Sequence, residues 1–145
     1  MMFRSLKVLF LTVFLFSLPA YSETGEPVQK HPVDQQIEKL EAEDPSTHGL
    51  IRAYTTGLEL WDKELNRVYQ ALIKALGKDD LAIKALKESQ REWIKFRDLE
   101  IHWVSLLYGK KDGSMFRPMS AYSIMDITRQ RALKLADRLR ILSEM

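Results

Sequence analysis

The sequence predicts an all-α fold, an up-down antiparallel bundle of three long helices preceded by a short N-terminal one. Two observations carry this. Apolar residues recur every three or four positions through three long segments, the spacing of one buried helix face. No segment alternates with a strand's period of two, and the Gly and Pro punctuation falls between the helical stretches. A length of 145 residues with 46% hydrophobic and 29% charged fits one globular domain.

Residues 1–22 stand apart. Arg4 and Lys7 precede the apolar run Val8–Leu18, and Ala20 and Ser22 supply a small-x-small ending, the pattern of a cleaved secretory signal peptide. The run is too short to span hydrocarbon, which takes roughly 18 apolar residues, and no cysteine follows it to carry a lipid. The expectation is a periplasmic or secreted protein with no stable membrane insertion after cleavage. The remaining 123 residues carry 20 basic and 20 acidic side chains. Their zero net charge gives no electrostatic footprint for nucleic acid. Secretion permits disulfides, yet the chain has no cysteine, so packing alone must hold it.

Residues 23–33, with Gly25, Pro27 and Pro32, read as a flexible arm, and residues 34–145 as the helical domain. Asp34–Ala42 fits a short helix capped by Asp34, and Asp44-Pro45-Ser46 breaks it. Ser46 or Thr47 caps the next helix, whose stripe is Leu50, Tyr54, Leu58, Trp61, Leu65, Val68, Leu72 and Leu76; Gly77 ends it. Asp79 or Asp80 starts a third helix with the stripe Ala82, Leu86, Ser89, Trp93, Phe96, Glu100, Trp103 and Leu107. Gly109–Pro118 reads as a loop. The last helix, about Met119–Ser143, presents Ala121, Met125, Thr128, Ala132, Leu135, Leu139 and Leu142. The short connection Gly77–Asp79 predicts that the second and third helices are antiparallel neighbours. Helical spacing assigns Trp61, Trp93, Trp103, Tyr54, Tyr69 and Phe96 to the core.

Polar residues interrupt or flank these stripes. Asp62 and Asn66 lie beside Trp61 and Leu65, Gln90 and Arg97 beside Trp93, and Arg131 beside Thr128 and Leu135. A half-buried carboxylate needs a partner, so Asp62, Asn66, Arg97 and Arg131 are expected to form a network that sets helix register. The alternative is that they line a functional groove. The segment around Lys110, Lys111, Met115, Phe116 and Arg117 places basic side chains about apolar tips, the composition of an interaction loop. Catalytic, cofactor and metal assignments are none: His31, His48 and His102 make no metal-ligand spacing, and there is no Gly-x-Ser-x-Gly nucleophile motif.

The blocks WDKELNRVYQAL and LKESQREWIKFRD, with DITRQRALKLADRL after them, resemble the LprI-like lysozyme-inhibitor N-terminal domain family, long known as a domain of unknown function. Asp62, Glu64, Leu65, Asn66 and Tyr69 carry the first block, Gln90, Trp93, Arg97 and Asp98 the second, and Arg131 and Leu135 the closing one. The resemblance spans about Asp34–Leu139. It implies a secreted or periplasmic helical domain, a protein partner (a lysozyme for some members), no enzymatic activity and no cofactor. Many members carry paired cysteines, and this chain departs from them there.

Three functions follow as alternatives. One is a periplasmic binding protein or lysozyme inhibitor that protects the cell wall. The second is a non-enzymatic envelope structural or stress-linked protein with no lysozyme target. The third is a hydrolase using Asp62, Asp98 and Glu100, which requires two carboxylates in one cleft at roughly 5–10 Å. An inhibitor of cationic lysozymes should present acidic residues, and Glu38, Glu41, Glu43 and Asp44 form such a run. Sequence leaves the oligomeric state open.

Overall fold

Local capping chemistry divides the described residues, 29–145, into four helices in the computed structural model: α1 Pro32–Glu43, α2 Thr47–Leu76, α3 Asp80–Gly109 and α4 Phe116–Glu144. The expected leader, residues 1–22, and most of the arm lie outside the described residues. The Ser46 side chain caps α2 by accepting from the Gly49 N–H at 3.1 Å, and Asp79 caps α3 by accepting from Ala82 at 2.9 Å. Gly77 ends α2 with φ +60°, a conformation cheap only for glycine.

Two boundaries differ from expectation. α1 begins at Pro32 rather than Asp34, because the His31 imidazole Nδ1 accepts from the Val33 N–H at 3.2 Å. Asp34 is therefore no cap, and its carboxylate reaches across to α4. That helix starts at Phe116 rather than Met119, with Pro118 inside its first turn. A proline is tolerated there because the first N–H groups of a helix have no intrahelical acceptor.

The core is built chiefly where α2 meets α4. Trp61, Leu65, Val68 and Leu72 of α2 pack with Met125, Ala132 and Leu135 of α4, and Ile37 of α1 closes the cluster. Tyr54 meets Tyr122 edge-on at 5.3 Å, and Leu72 and Leu76 share a groove with Ile141 and Leu142, so α2 and α4 run in the same direction. α3 runs against α4: Trp93 lies beside Arg131, and Tyr108 beside Phe116.

α1 lies along α2 where the latter is made of small residues. Gly49, Ala53 and Gly57 are buried. A Cβ on Gly57 would sit 2.6 Å from the Met125 sulfur and 2.7 Å from Ile37 Cδ1. The strap is held at its end by Arg129, whose Nε and Nη2 donate to the two Asp34 oxygens, both at 2.9 Å. The same guanidinium lies over Trp61, and the His31 ring packs on that indole with centroids 4.5 Å apart.

The expectation that α2 and α3 are close neighbours needs correction. α3 packs on α4 and touches α2 only slightly. The tight turn reverses the chain but does not supply a contact surface. The α4-facing row of α3 carries Gln90, Arg97 and Glu100 among its apolar residues, so that side offers little to seal against a second helix. The predicted α3 core stripe holds at Leu86 and Trp93, which pack against the core cluster, and fails at Phe96 and Trp103. Only Val104 of α3 is buried, while Phe96 is 54% and Trp103 57% exposed.

Candidate interaction surface

The predicted polar network divides into separate local groups. On α2, Asp62 accepts from the Asn66 side chain at 3.3 Å, one turn away on the same helix. Tyr69 packs on the edge of the core. On α3, Arg97 donates to its sequence neighbour Asp98 at 2.8 and 3.0 Å and lies over the Trp93 ring. Of the residues expected in this network only Arg131 joins two helices: it donates to Gln90 at 3.0 Å and Ser89 at 3.1 Å, with its guanidinium also over the Trp93 ring. Two guanidinium groups thus lie within about 6 Å of the Trp93 ring centre, a distance at which cation and aromatic face attract. Burial, with Arg138 nearby, lowers the Arg131 pKa from its ordinary value.

The expected register-setting network of Asp62, Asn66, Arg97 and Arg131 is therefore not one assembly. Asp62 and Asn66 interact within α2, which scarcely touches α3, and reach neither arginine. What ties α3 to α4 is the Gln90–Arg131–Trp93 group.

Beside that group, α3 and α4 leave an open groove of about 580 Å³. Trp93, Phe96 and Tyr122 give it aromatic walls, and Glu100, Asp126 and Lys134 give it charge. Asp126 accepts from Gln130 at 3.3 Å and from Arg129 at 3.4 Å, so it serves as an anchored acceptor within α4. Of the three carboxylates considered for hydrolysis, Glu100 lines this groove. Asp98 points outward, 61% exposed, and Asp62 belongs to α2.

The expected interaction loop divides between the connection 110–115 and the first turn of α4. Lys110, Lys111, Met115 and Arg117 are exposed, with Met115 at 57%. Phe116 instead turns inward against Tyr108 at 6.4 Å, beneath Gly113 at φ +120°. The loop's apolar tip is therefore Met115 alone.

Sequence reasoning missed two features. One is Arg129, whose only signal was a cation on the α4 flank opposite Asp34. The other is a second apolar row on α3: Phe96, Leu99, Trp103 and Leu106, spaced 3-4-3 and 48–70% exposed. That spacing was present in the sequence, but a helix with two apolar rows does not say which one a neighbour will cover. Among the described residues no group of His, Asp or Glu is arranged to hold a metal, and no helix is long and apolar enough to cross a membrane.

The described residues thus form a four-helix arrangement with exposed apolar and charged faces. The sequence profile of the family described as Lysozyme inhibitor LprI matches residues 38–135, two-thirds of the chain, and the protein belongs to that family. A crystal structure of an uncharacterised protein from Burkholderia thailandensis is similar, with a TM-score of 0.73 at 29% identity. The alignment covers 80% of this chain and 57% of that one. No curated protein matches the sequence.

Proposed function

We propose that this chain acts outside the cytoplasm as a small binding protein of the lysozyme-inhibitor kind, protecting the cell wall by engaging lysozyme. The family match across residues 38–135 carries the reading. The leader pattern of residues 1–22 supports the location. Charge adds a surface: Glu38 and Glu43 are exposed on α1, and a cationic partner is drawn to carboxylates of this kind. The acidic run also makes contacts within the chain: Glu43 lies 3.9 Å from the Lys39 ammonium, Asp44 accepts from Arg52 at 2.6 Å, and Glu41 from the Tyr54 hydroxyl.

The test is lysozyme turnover on cell-wall substrate with the purified secreted protein. Turnover of at least one lysozyme type should fall with dose, and the double substitution E38K/E43K should weaken the effect. Undiminished turnover at large molar excess across several lysozyme types would sink the reading.

One observation favours the second function. Lys110, Lys111 and Arg117 are all exposed at one end of the bundle, a cluster suited to an anionic envelope component. Binding to such a component should then weaken between low and 0.5 M salt, as screening of exposed charges requires.

A further inference from the structure

We propose that the outer row of α3 is a dimerisation seam, occupied by α3 of a second copy of this chain in antiparallel orientation. Phe96, Leu99, Trp103 and Leu106 are 54%, 70%, 57% and 48% exposed. At 3.6 residues per turn this row lies roughly 130° round the helix from the Trp93–Arg97–Val104 side that meets α4. The fold therefore leaves the row uncovered, while its 3-4-3 spacing is that of a helix-on-helix seam.

Self-complementarity identifies the occupant. A twofold axis through the middle of the row, at position 101, sets Phe96 opposite Leu106 of the second copy and Leu99 opposite its Trp103. The same axis sets Glu92 opposite Lys110 of the second copy, at both ends of the seam at once. Glu92 lies in line with the row and is 66% exposed, and its present partner is Lys95 on its own helix at 2.8 Å. An acid at one end and a base at the other is what an antiparallel pair needs and a parallel pair would oppose. A cationic partner protein is a poorer fit, because the row itself contains no carboxylate between Glu92 and Lys110. Phe96 marks the edge of the row nearest α4, where it also walls the groove with Tyr122, and Leu99, Trp103 and Leu106 lie further round α3. The seam does not involve Glu38 or Glu43, so this inference stands apart from lysozyme binding.

The experiment uses the secreted protein and reads mass by sedimentation equilibrium across about 1–200 µM, where a short two-heptad seam should associate. The dimer fraction should rise with concentration, with a blue shift of Trp103 emission absent from W103F. Leu99 is 70% exposed, so L99K should leave the circular dichroism unchanged and abolish the dimer. E92K and K110E should each weaken association about fivefold or more, as expected for two exposed ion pairs per dimer, and E92K/K110E should restore it.

Orientation has its own readout, because the chain has no cysteine. E92C and K110C, both in line with the row, should form a disulfide-linked dimer when mixed, whereas E92C alone, about 27 Å from its own counterpart along an antiparallel seam, should not. Cross-linking of E92C to itself would indicate parallel pairing and overturn the proposal. So would a monomer at every concentration, or a dimer indifferent to L99K. Loss of lysozyme binding by L99K in a protein that stays monomeric would assign the row to the partner instead.

Discussion

Asp34 and Arg129 stand 95 positions apart and meet in a two-pronged ion pair, with side chains 20% and 26% exposed. Charge-assisted bonds of this geometry contribute more than a surface pair, because the partners are partly shielded from water and held in a fixed fork. D34A and R129A should each lose about 2 kcal/mol in urea unfolding. The double mutant should lose less than the sum, and strict additivity would show that the pair is uncoupled. Thr128 presents the opposite case: its hydroxyl is buried with no hydrogen-bond partner. Replacing it with an apolar group of the same shape removes a desolvation cost, so Thr128→Val should raise stability by about 1 kcal/mol.

Tyr54 offers a test by pH. Burial first, and then its hydrogen bond to Glu41, push the phenol up to about 12. The folded state thus holds this proton between pH 10 and 12 while the unfolded chain has released it. Stability should therefore fall as pH rises through that window, and Y54F should flatten the fall. Absorbance titration should show a tyrosine ionisation at about pH 12 that disappears in Y54F.

At the scale of elements, α1 depends on the absence of side chains in α2. Ile37 and Met125 occupy the space a Cβ on Gly57 would take, so Gly57→Val should cost about 1–3 kcal/mol by overpacking. The loss should appear in thermal unfolding even though glycine is intrinsically a poor helix former. Helix existence and most ends were readable because they rest on local chemistry: the Ser46 cap, Gly77 and the 3–4 spacing act within one turn. The start of α1 was misread because His31 took the cap, and that choice depends on the same imidazole packing against Trp61. α3 was misread more deeply. Its Phe96 and Trp103 have the spacing of a core row, and spacing alone does not reveal that α4 takes the adjacent row instead.

For the whole molecule, stability resides in the α2–α4 pair, and α3 is the peripheral helix. Amide hydrogen exchange should therefore protect the middle of α2 and α4 up to the global unfolding free energy and release α3 earlier. L135A should lower global stability by about 2–5 kcal/mol, whereas L86A should mainly speed exchange in α3. Equal protection of all three long helices in dilute protein would contradict this ranking. Concentration matters to the measurement, since a seam on α3 would itself slow exchange there.

The candidate surface was legible only in parts. The family blocks contained Gln90, Trp93 and Arg131, which do meet, because their periodicity placed them on flanks that α3 and α4 turn toward each other. They also contained Asp62 and Asn66, which meet only each other, since sequence pattern cannot show that α2 lies away from α3. By itself the sequence determined an all-helical chain with its breaks and caps, because hydrogen bonding within a helix and at its ends is local. Only the tertiary structure decided which helices touch, that Asp34 serves α4 rather than its own helix, and that an apolar row of α3 faces solvent. Those outcomes depend on competition among several apolar faces for the same few neighbours, and that competition is settled by the packed whole rather than by any one segment.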